Sequence, residues 1–347
     1  MDKVDIVYLW VNGADPIWQR KRALAQQEKL DPKELAQYGN VAGRYRDNGE
    51  LRYNLRALER FFPDHGHIYI VSDGQRPDWL SPDADISFVD HASLIPAAAR
   101  PVFDAGHIES YLHHIPNLSE RFIYLNDDIF FGAPVQISDW FSEQGLAVFF
   151  DQQAAPHTNR LQERETALVN AAVLSKQWLA QQYPDYQHQP WLCAHAPRPM
   201  LKSALWNLEQ MAPDLFARVR STTFRAWHVP PIISDLLLRW KLHTGIATAK
   251  HHPVLHISSG DPDAAQQFHA LALNFGHIPF FCINDTCDDC PDDDPRLQAI
   301  ASTLSALLPE PSQYEVSPAG AHKTSNSDEQ KARKNKAIPK GMALEIK

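Results

Sequence analysis

Apolar and polar residues along this chain follow two rhythms. Short continuous apolar runs read as buried strands: 4–11 (Val-Asp-Ile-Val-Tyr-Leu-Trp-Val), 67–72, 86–89, 122–126 and 146–150. Between them, apolar residues recur at helical spacing, as Leu51, Leu55 and Leu58 do. Asp15-Pro16 opens a helix over 17–29, because Asp caps and Pro suits the first helical position. Asp47 followed three residues later by Glu50 resembles a capping box for the next helix. Residues 106–115 predict another. From about 159 to 244 the pattern turns helical, over 160–182, 199–212 and 231–243. Strands return at 254–258 and 279–284, and a helix follows at 295–308.

Strands alternating with helices predict an α/β fold with a Rossmann-like, mostly parallel sheet (GT-A-like) and a helical insertion. The sheet core is expected over about 1–155 and 250–310, the insertion over 156–249, in one domain spanning 1–310. Residues 311–347, rich in Pro, Ser, Lys and Asn without periodicity, read as a disordered basic tail.

Composition removes some functions. A net charge of −9 with no dominant basic patch argues against a nucleic-acid partner. No apolar run approaches the roughly 20 residues of a membrane span. Met-Asp-Lys-Val-Asp-Ile carries no signal-peptide pattern, so a cytoplasmic location is expected. The basic run Lys331 to Lys340 offers a peripheral contact with the inner membrane or capsule machinery; an inert solvated tail is the plainer reading. Four cysteines do not make a disulfide scaffold. Cys287-Asp-Asp-Cys290, with Cys282 nearby, invites zinc, but no fourth ligand is adjacent and free thiols are the plainer reading.

The chemistry concentrates at strand ends. In Phe122-Ile-Tyr-Leu-Asn-Asp-Asp128, four apolar residues lead into Asn126 and two adjacent carboxylates. Ligands of open α/β sheets sit at the carboxyl ends of strands. Paired carboxylates there are costly unless a cation holds them, and a hard divalent ion bridging them to a diphosphate is a natural occupant. Asp also turns chains, which is the bland alternative. Phe280-Phe-Cys-Ile-Asn-Asp285 repeats the pattern, while Asn12, Asp15, Asp73 and Gln75 follow the first two strands. Four such ends in one sheet would line one edge with carboxylates and amides. Arg44, Arg46, Arg52, Arg56, Arg198, Arg220 and Arg225 are candidate phosphate partners, with surface pairing to Glu50 and Glu59 as the alternative for Arg52 and Arg56. His195, in a proline-bracketed segment, is a candidate acid/base or phosphate contact, although a lone His is more often structural.

These residues form a recognisable set. Asp5-Ile-Val-Tyr-Leu-Trp-Val-Asn-Gly-Ala-Asp-Pro16 resembles the first signature block of the Stealth family. Arg46-Asp-Asn-Gly-Glu-Leu-Arg-Tyr53, Ile68 to Gln75, Ile108-Glu-Ser110 and Phe122 to Asp128 resemble its second. His195-Ala-Pro-Arg-Pro199 through Arg225 resembles the third, and Phe281 to Asp285 the fourth. The resemblance implies a hexose-1-phosphoryltransferase of capsule or exopolysaccharide synthesis. Such an enzyme moves a sugar 1-phosphate from a UDP-sugar donor to a hydroxyl of an oligosaccharide or polysaccharide acceptor. UMP leaves and a phosphodiester forms. It places His195, Arg225 and Asp127 in catalysis, and Asp127, Asp128 and Asp285 on Mg²⁺ or Mn²⁺. Asn12, Asp15, Arg52, Asp73, Gln75, Glu109, Asn126 and Asn284 become substrate contacts. Two features depart from the family pattern. Phe103-Asp104-Ala105 stands where Phe-Asn-Ser is usual, which bears on acceptor or sugar contacts. The chain also begins directly at the first block. A metal-dependent glycosyltransferase releasing UDP would use the same sheet and carboxylates; a non-catalytic nucleotide-sugar-binding protein would tolerate loss of the metal carboxylates, yet all of them are present.

Overall fold

The computed structural model describes residues 3–316, save 144, 252, 253, 289 and 292. At its centre β1 (Asp5–Leu9) lies between β2 (Ile68–Ser72) and β4 (Arg121–Asn126), with β3 (Ile86–Asp90) outside β2; all four run parallel. Every residue of β1 and β2 is buried, so these strands read as near-continuous apolar runs rather than alternating ones; the polar exceptions sit at their ends, Asp5, which accepts from the His67 and Ser119 amides, and Ser72. The edge beyond β4 is β9 (Arg198–Leu201), antiparallel to it.

Two smaller sheets complete the strands. One runs β11 (Leu255–Ser258), β12 (Phe280–Asn284), β5 (Ile129–Phe131). The other runs β10 (Ala247–His251), β7 (Gly145–Ala154), β6 (Phe141–Ser142), with β8 (Trp191–Cys193) also on β7. The helices are α1 (Pro16–Lys29), α2 (Glu50–Phe61), α3 (His91–Leu94), α4 (Ala105–Glu109), α5 (Ile137–Trp140), α6 (Ala167–Gln182), α7 (Lys202–Met211), α8 (Pro213–Val219), α9 (Leu236–His243), α10 (Ala264–Asn274) and α11 (Pro295–Leu307). No helix of the described residues is long and apolar enough to cross a membrane.

The mostly parallel α/β sheet is as expected from the sequence, and several details differ. β9 occupies the start of the predicted 199–212 helix. Pro199 has no amide hydrogen, and an edge strand tolerates that where a central strand does not. With β8 and β9 inside it, the 156–249 stretch is not purely helical. The helix predicted over 106–115 stops at Glu109 and resumes as a 3₁₀ turn, Leu112–His114. The 160–182 helix begins only at Ala167, where Thr166 caps it, and the 231–243 helix begins only at Leu236.

Asp15 does cap α1, accepting from the amides of Ile17 and Trp18 at 2.7 and 2.9 Å. Asp47 and Glu50 do not form a capping box. The cap is Gly49 at φ +86°, a left-handed conformation that glycine adopts cheaply, and both carboxylates bond within the preceding turn instead.

The strand ends do not share one sheet. β12 belongs to the β11-β12-β5 sheet, so Asn284 and Asp285 approach β4 from a different layer.

Residues to Glu315 pack as one compact unit, so the chain is ordered past the expected boundary at 311. Glu315 is buried and takes Arg52 Nε at 2.5 Å and Arg56 Nε at 2.6 Å. Arg56 Nη1 also donates to the Leu308 carbonyl at 2.7 Å. The rest of the tail expected over 311–347, beyond Val316 and including its basic run, lies outside the described residues.

Candidate active site

The cleft forms where β4 ends. Asp127 and Asp128 make the turn from β4 into β5, and β5 pairs with β12 in the second sheet, so this turn bridges two sheets. Two bonds fix it. Asn54 of α2, fully buried, donates to the carbonyls of Asp127 and Ile129 at 2.8 and 2.7 Å. The amide of Ile283 donates to the Asp128 carbonyl at 3.0 Å. The 3₁₀ turn Ala42–Arg44 closes the other side. A Cβ added at Gly43 would stand 2.2 Å from the Asp285 carbonyl oxygen, so only glycine permits this approach.

Eight of the expected residues meet here: Glu109, Asn126, Asp127, Asp128, His195, Arg225, Asn284 and Asp285 all line one cleft. Arg44, Arg46, Arg198 and Glu50 line it with them. His195 Nε2 faces Asp128 Oδ2 at 3.3 Å, and its Nδ1 faces Arg198 Nη2 at the same distance. The Cys282 thiol lies 3.5 Å from that Asp128 oxygen. Arg225 Nε donates to Asp104 at 3.4 Å, so the residue that departs from the family pattern holds the arginine.

The two adjacent aspartates titrate oppositely. Burial pushes Asp127 well above the usual carboxylate range, and the charges of Glu50, Asp128 and Asp47 push it further. Burial would raise Asp128 too, but the charge and hydrogen bond of His195 outweigh it and hold Asp128 below its ordinary value. Burial, then the Asp47 charge, pushes Glu50 up to about 8. Burial also raises Glu109, whose Oε1 accepts from Tyr124 at 2.8 Å.

Several buried polar atoms of the cleft have no hydrogen-bond partner: Asp128 Oδ1, Glu109 Oε2, Arg44 Nε, and Arg198 Nε and Nη1. Each such orphan costs roughly 1–3 kcal/mol. Spare carboxylate oxygen beside an excess of buried negative charge fits a divalent cation, and spare guanidinium donors fit phosphate oxygens. Asp285 is different. Its Oδ2 takes Arg46 at 2.5 Å and Asn48 at 3.3 Å, and its Oδ1 takes the Cys287 amide at 2.9 Å and Ser259 at 3.3 Å. Both oxygens have protein partners, so it positions Arg46 rather than standing free for a metal. All four cysteines are free thiols, and among the described residues they do not gather into a metal-binding group of their own.

The remaining expected residues lie elsewhere. Arg52 and Arg56 turn away to Glu315, and Arg220 bonds Ser110 and Glu209. Asn12 and Gln75 bond each other at 2.9 and 3.0 Å and tie the ends of β1 and β2. Asp15 is spent on its helix cap. Asp73 pairs with Lys21 at 2.9 Å and lines an aromatic cleft with Trp10, Trp18, Tyr45 and Phe103. That second cleft joins the first at Arg44, Asn126 and Asp127. Glu50 and Asn54 escaped the sequence reading as site residues. Their one signal was polarity on the face of α2 that also carries Leu51, Leu55 and Leu58.

Comparison with known proteins gives the chain its relatives. Residues 2–26 and 44–149 match the family profiles described as Stealth protein CR1, conserved region 1, and CR2, conserved region 2. A capsular polysaccharide phosphotransferase, WcwK of Streptococcus pneumoniae, is 30% identical over 345 residues, covering 91% of this chain and 100% of that one. The chain belongs to the Stealth family. A second relative, the exopolysaccharide phosphotransferase SCO6023 of Streptomyces coelicolor, is 34% identical over 90% of this chain. This chain spans 52% of that relative's length. The capsular polysaccharide phosphotransferase LcbA of Aeromonas hydrophila is 29% identical over 81% of this chain and 78% of its own. Among solved structures, galactosyltransferase LgtC with donor and acceptor sugar analogs overlays at a TM-score of 0.40 and 10% identity, covering 89% of this chain and 98% of that one. That likeness is too loose to carry an argument. The second Stealth profile covers Arg44 to Asp128 of the cleft; His195, Arg225 and Asp285 lie beyond it and reach the site through the fold.

Proposed function

We propose that this Stealth protein is a hexose-1-phosphoryltransferase. It moves a hexose 1-phosphate, N-acetylhexosamine 1-phosphate in the first instance, from a UDP-sugar to a glycan hydroxyl in capsule or exopolysaccharide synthesis. The carrying observation is the set of unpaired guanidinium donors and carboxylate oxygens in one cleft. The relatives named phosphotransferases support the reaction class. The free thiols fit a reducing, cytoplasmic setting.

Phosphoryl transfer asks a protein for positioning and charge stabilisation more than for covalent chemistry. The aromatic cleft holds the uridine, and the diphosphate lies across Asn126 toward Arg44, Arg198 and Arg225. The acceptor oxygen attacks the phosphorus that bears the sugar, UMP leaves with the bridging oxygen, and the anomeric bond stays intact. Arg225, oriented by Asp104, stabilises the charge on the transferring phosphoryl group as a planar donor fork. His195 takes the proton of the acceptor hydroxyl, and Asp128 stabilises the imidazolium. Both hydrogen bonds of His195 are long, so either nitrogen can be released to a ligand. Asp127 and Asp128 would hold Mg²⁺ or Mn²⁺, which when bound neutralises the diphosphate and the leaving UMP.

Incubation with UDP-N-acetylglucosamine and an oligosaccharide acceptor should release UMP and give one phosphodiester per sugar added, read by phosphorus NMR. Release of UDP with a phosphorus-free product would replace this reading with a glycosyltransferase. His195→Ala should lower kcat far more than it raises KM, because proton transfer acts in the transition state.

A further inference from the structure

Outside the cleft, the 3₁₀ turn Leu112–His114 and helix α7 bring three ligand-type side chains together. One donor atom from each of His113, His114 and Glu209 falls within 4.8 Å of the other two. The Nε2 atoms of both imidazoles face the same carboxylate oxygen, Glu209 Oε2, at 2.6 and 3.3 Å. Neighbouring side chains on such a turn diverge by about 120°. Here the rings are drawn together instead, with centroids 4.3 Å apart and Trp206 packed on both at 4.6 and 4.5 Å.

The surroundings suit a cation. His113 is fully buried, and its Nδ1 has no hydrogen-bond partner. Burial would raise Glu209, but hydrogen bonds from Arg220 and His113 outweigh it and bring it down to about 2. Arg220 occupies the other carboxylate oxygen, Oε1, and is anchored independently by the hydroxyl and carbonyl of Ser110 at 3.1 and 2.6 Å. Its charge opposes a cation, but it also fixes the carboxylate with Oε2 directed at the two rings. None of the three residues lines the catalytic cleft.

We propose that His113, His114 and Glu209 form a zinc-type divalent metal site, completed by water on the open side past His114. Two imidazole nitrogens and one carboxylate oxygen are a zinc ligand set. The ion takes the place of the proton that His113 Nε2 donates to Glu209. His113 stays neutral by carrying its proton on Nδ1 instead.

The test uses the full chain stripped with a chelator, with Zn²⁺ as the probe. Asp128→Asn is the background, which removes the carboxylate shared by the cleft cluster of Asp128, His195 and Cys282. This variant should still bind Zn²⁺ and gain thermal stability from it. Adding His114→Ala should weaken that binding by at least about a hundredfold, beyond the loss typical of an altered outer partner. His114 is one-third exposed, so the metal-free double variant should melt close to its parent. Glu209→Gln, which keeps the side-chain shape, supplies an independent second variant. Equal zinc affinity with and without these changes would overturn the site. So would a strong near-ultraviolet thiolate band with Co²⁺ in the Asp128→Asn background, which would put the metal on cysteine.

Discussion

Glu315, buried, and Asp128, partly buried, are both carboxylates beside cationic side chains, and they differ in what is left over. At Glu315, Arg52 and Arg56 take both oxygens, the Ser312 amide adds a bond at 2.9 Å, and Arg56 reaches the carbonyls of Leu308 and Pro309. Every charge in that clasp meets a partner. Around Asp128 the balance fails in both directions, with orphan oxygens on Asp128 and Glu109 and orphan donors on Arg44 and Arg198. The same residue types therefore make a fastening in one place and an open site in the other. A fully satisfied network rigidifies, whereas unmatched groups cost stability and persist where something else binds.

Three changes sharpen or break that contrast. The largest expected effect is in the cleft. Asp128→Asn should lower kcat by at least about a hundredfold, since a bound metal and the His195 pair supply several kcal/mol to the transition state. The melting temperature should move little. Full activity of the wild type in excess EDTA would refute the metal part of this expectation.

Next comes the clasp. Glu315→Ala leaves two arginines unpaired, and breaking a buried pair costs about 3–5 kcal/mol. Because Arg52 is partly exposed, the loss should lie at the lower end, seen as a reduced denaturation midpoint with kcat per folded molecule unchanged. Truncation before Ser312 should reproduce that loss, and truncation after Val316 should not. A large drop from the second truncation would show that the distal tail packs on the core.

The smallest effect is a pH dependence. Glu50 in the fold titrates at about 8, above its unfolded value near 4.5. The unfolded chain therefore releases this proton first, and stability falls as pH rises from about 4.5 through about 8. Glu50→Gln has no proton to lose. In chelator-treated protein it should raise the melting temperature by a few degrees at about pH 8 and change little at about pH 5. Equal effects at both pH values would mean that Glu50 is not held protonated.

Much of the candidate site was legible because its parts are local. β4 ending in Asn126, Asp127 and Asp128, and β12 ending in Asn284 and Asp285, are each readable from a short window. The two charged residues set four apart on α2, Arg52 and Arg56, were legible as a pair but not as to partner. Their alternatives were a diphosphate or the nearby Glu50 and Glu59, and the partner is Glu315, more than 250 residues away. Likewise, Asp285 read as a metal ligand from its place at a strand end and from the family resemblance; in space Arg46 takes its Oδ2 and the Cys287 amide its Oδ1.

By itself the sequence determined the parallel core, since strands buried on both faces must be apolar throughout. It also determined the placement of carboxylates at their ends and the family signature that runs through them. Only the tertiary structure decided which of those carboxylates are matched and which are left over. Pairing energy depends on distance and burial, and residues such as Asp128 and His195, 67 positions apart, acquire theirs only when the sheets come together.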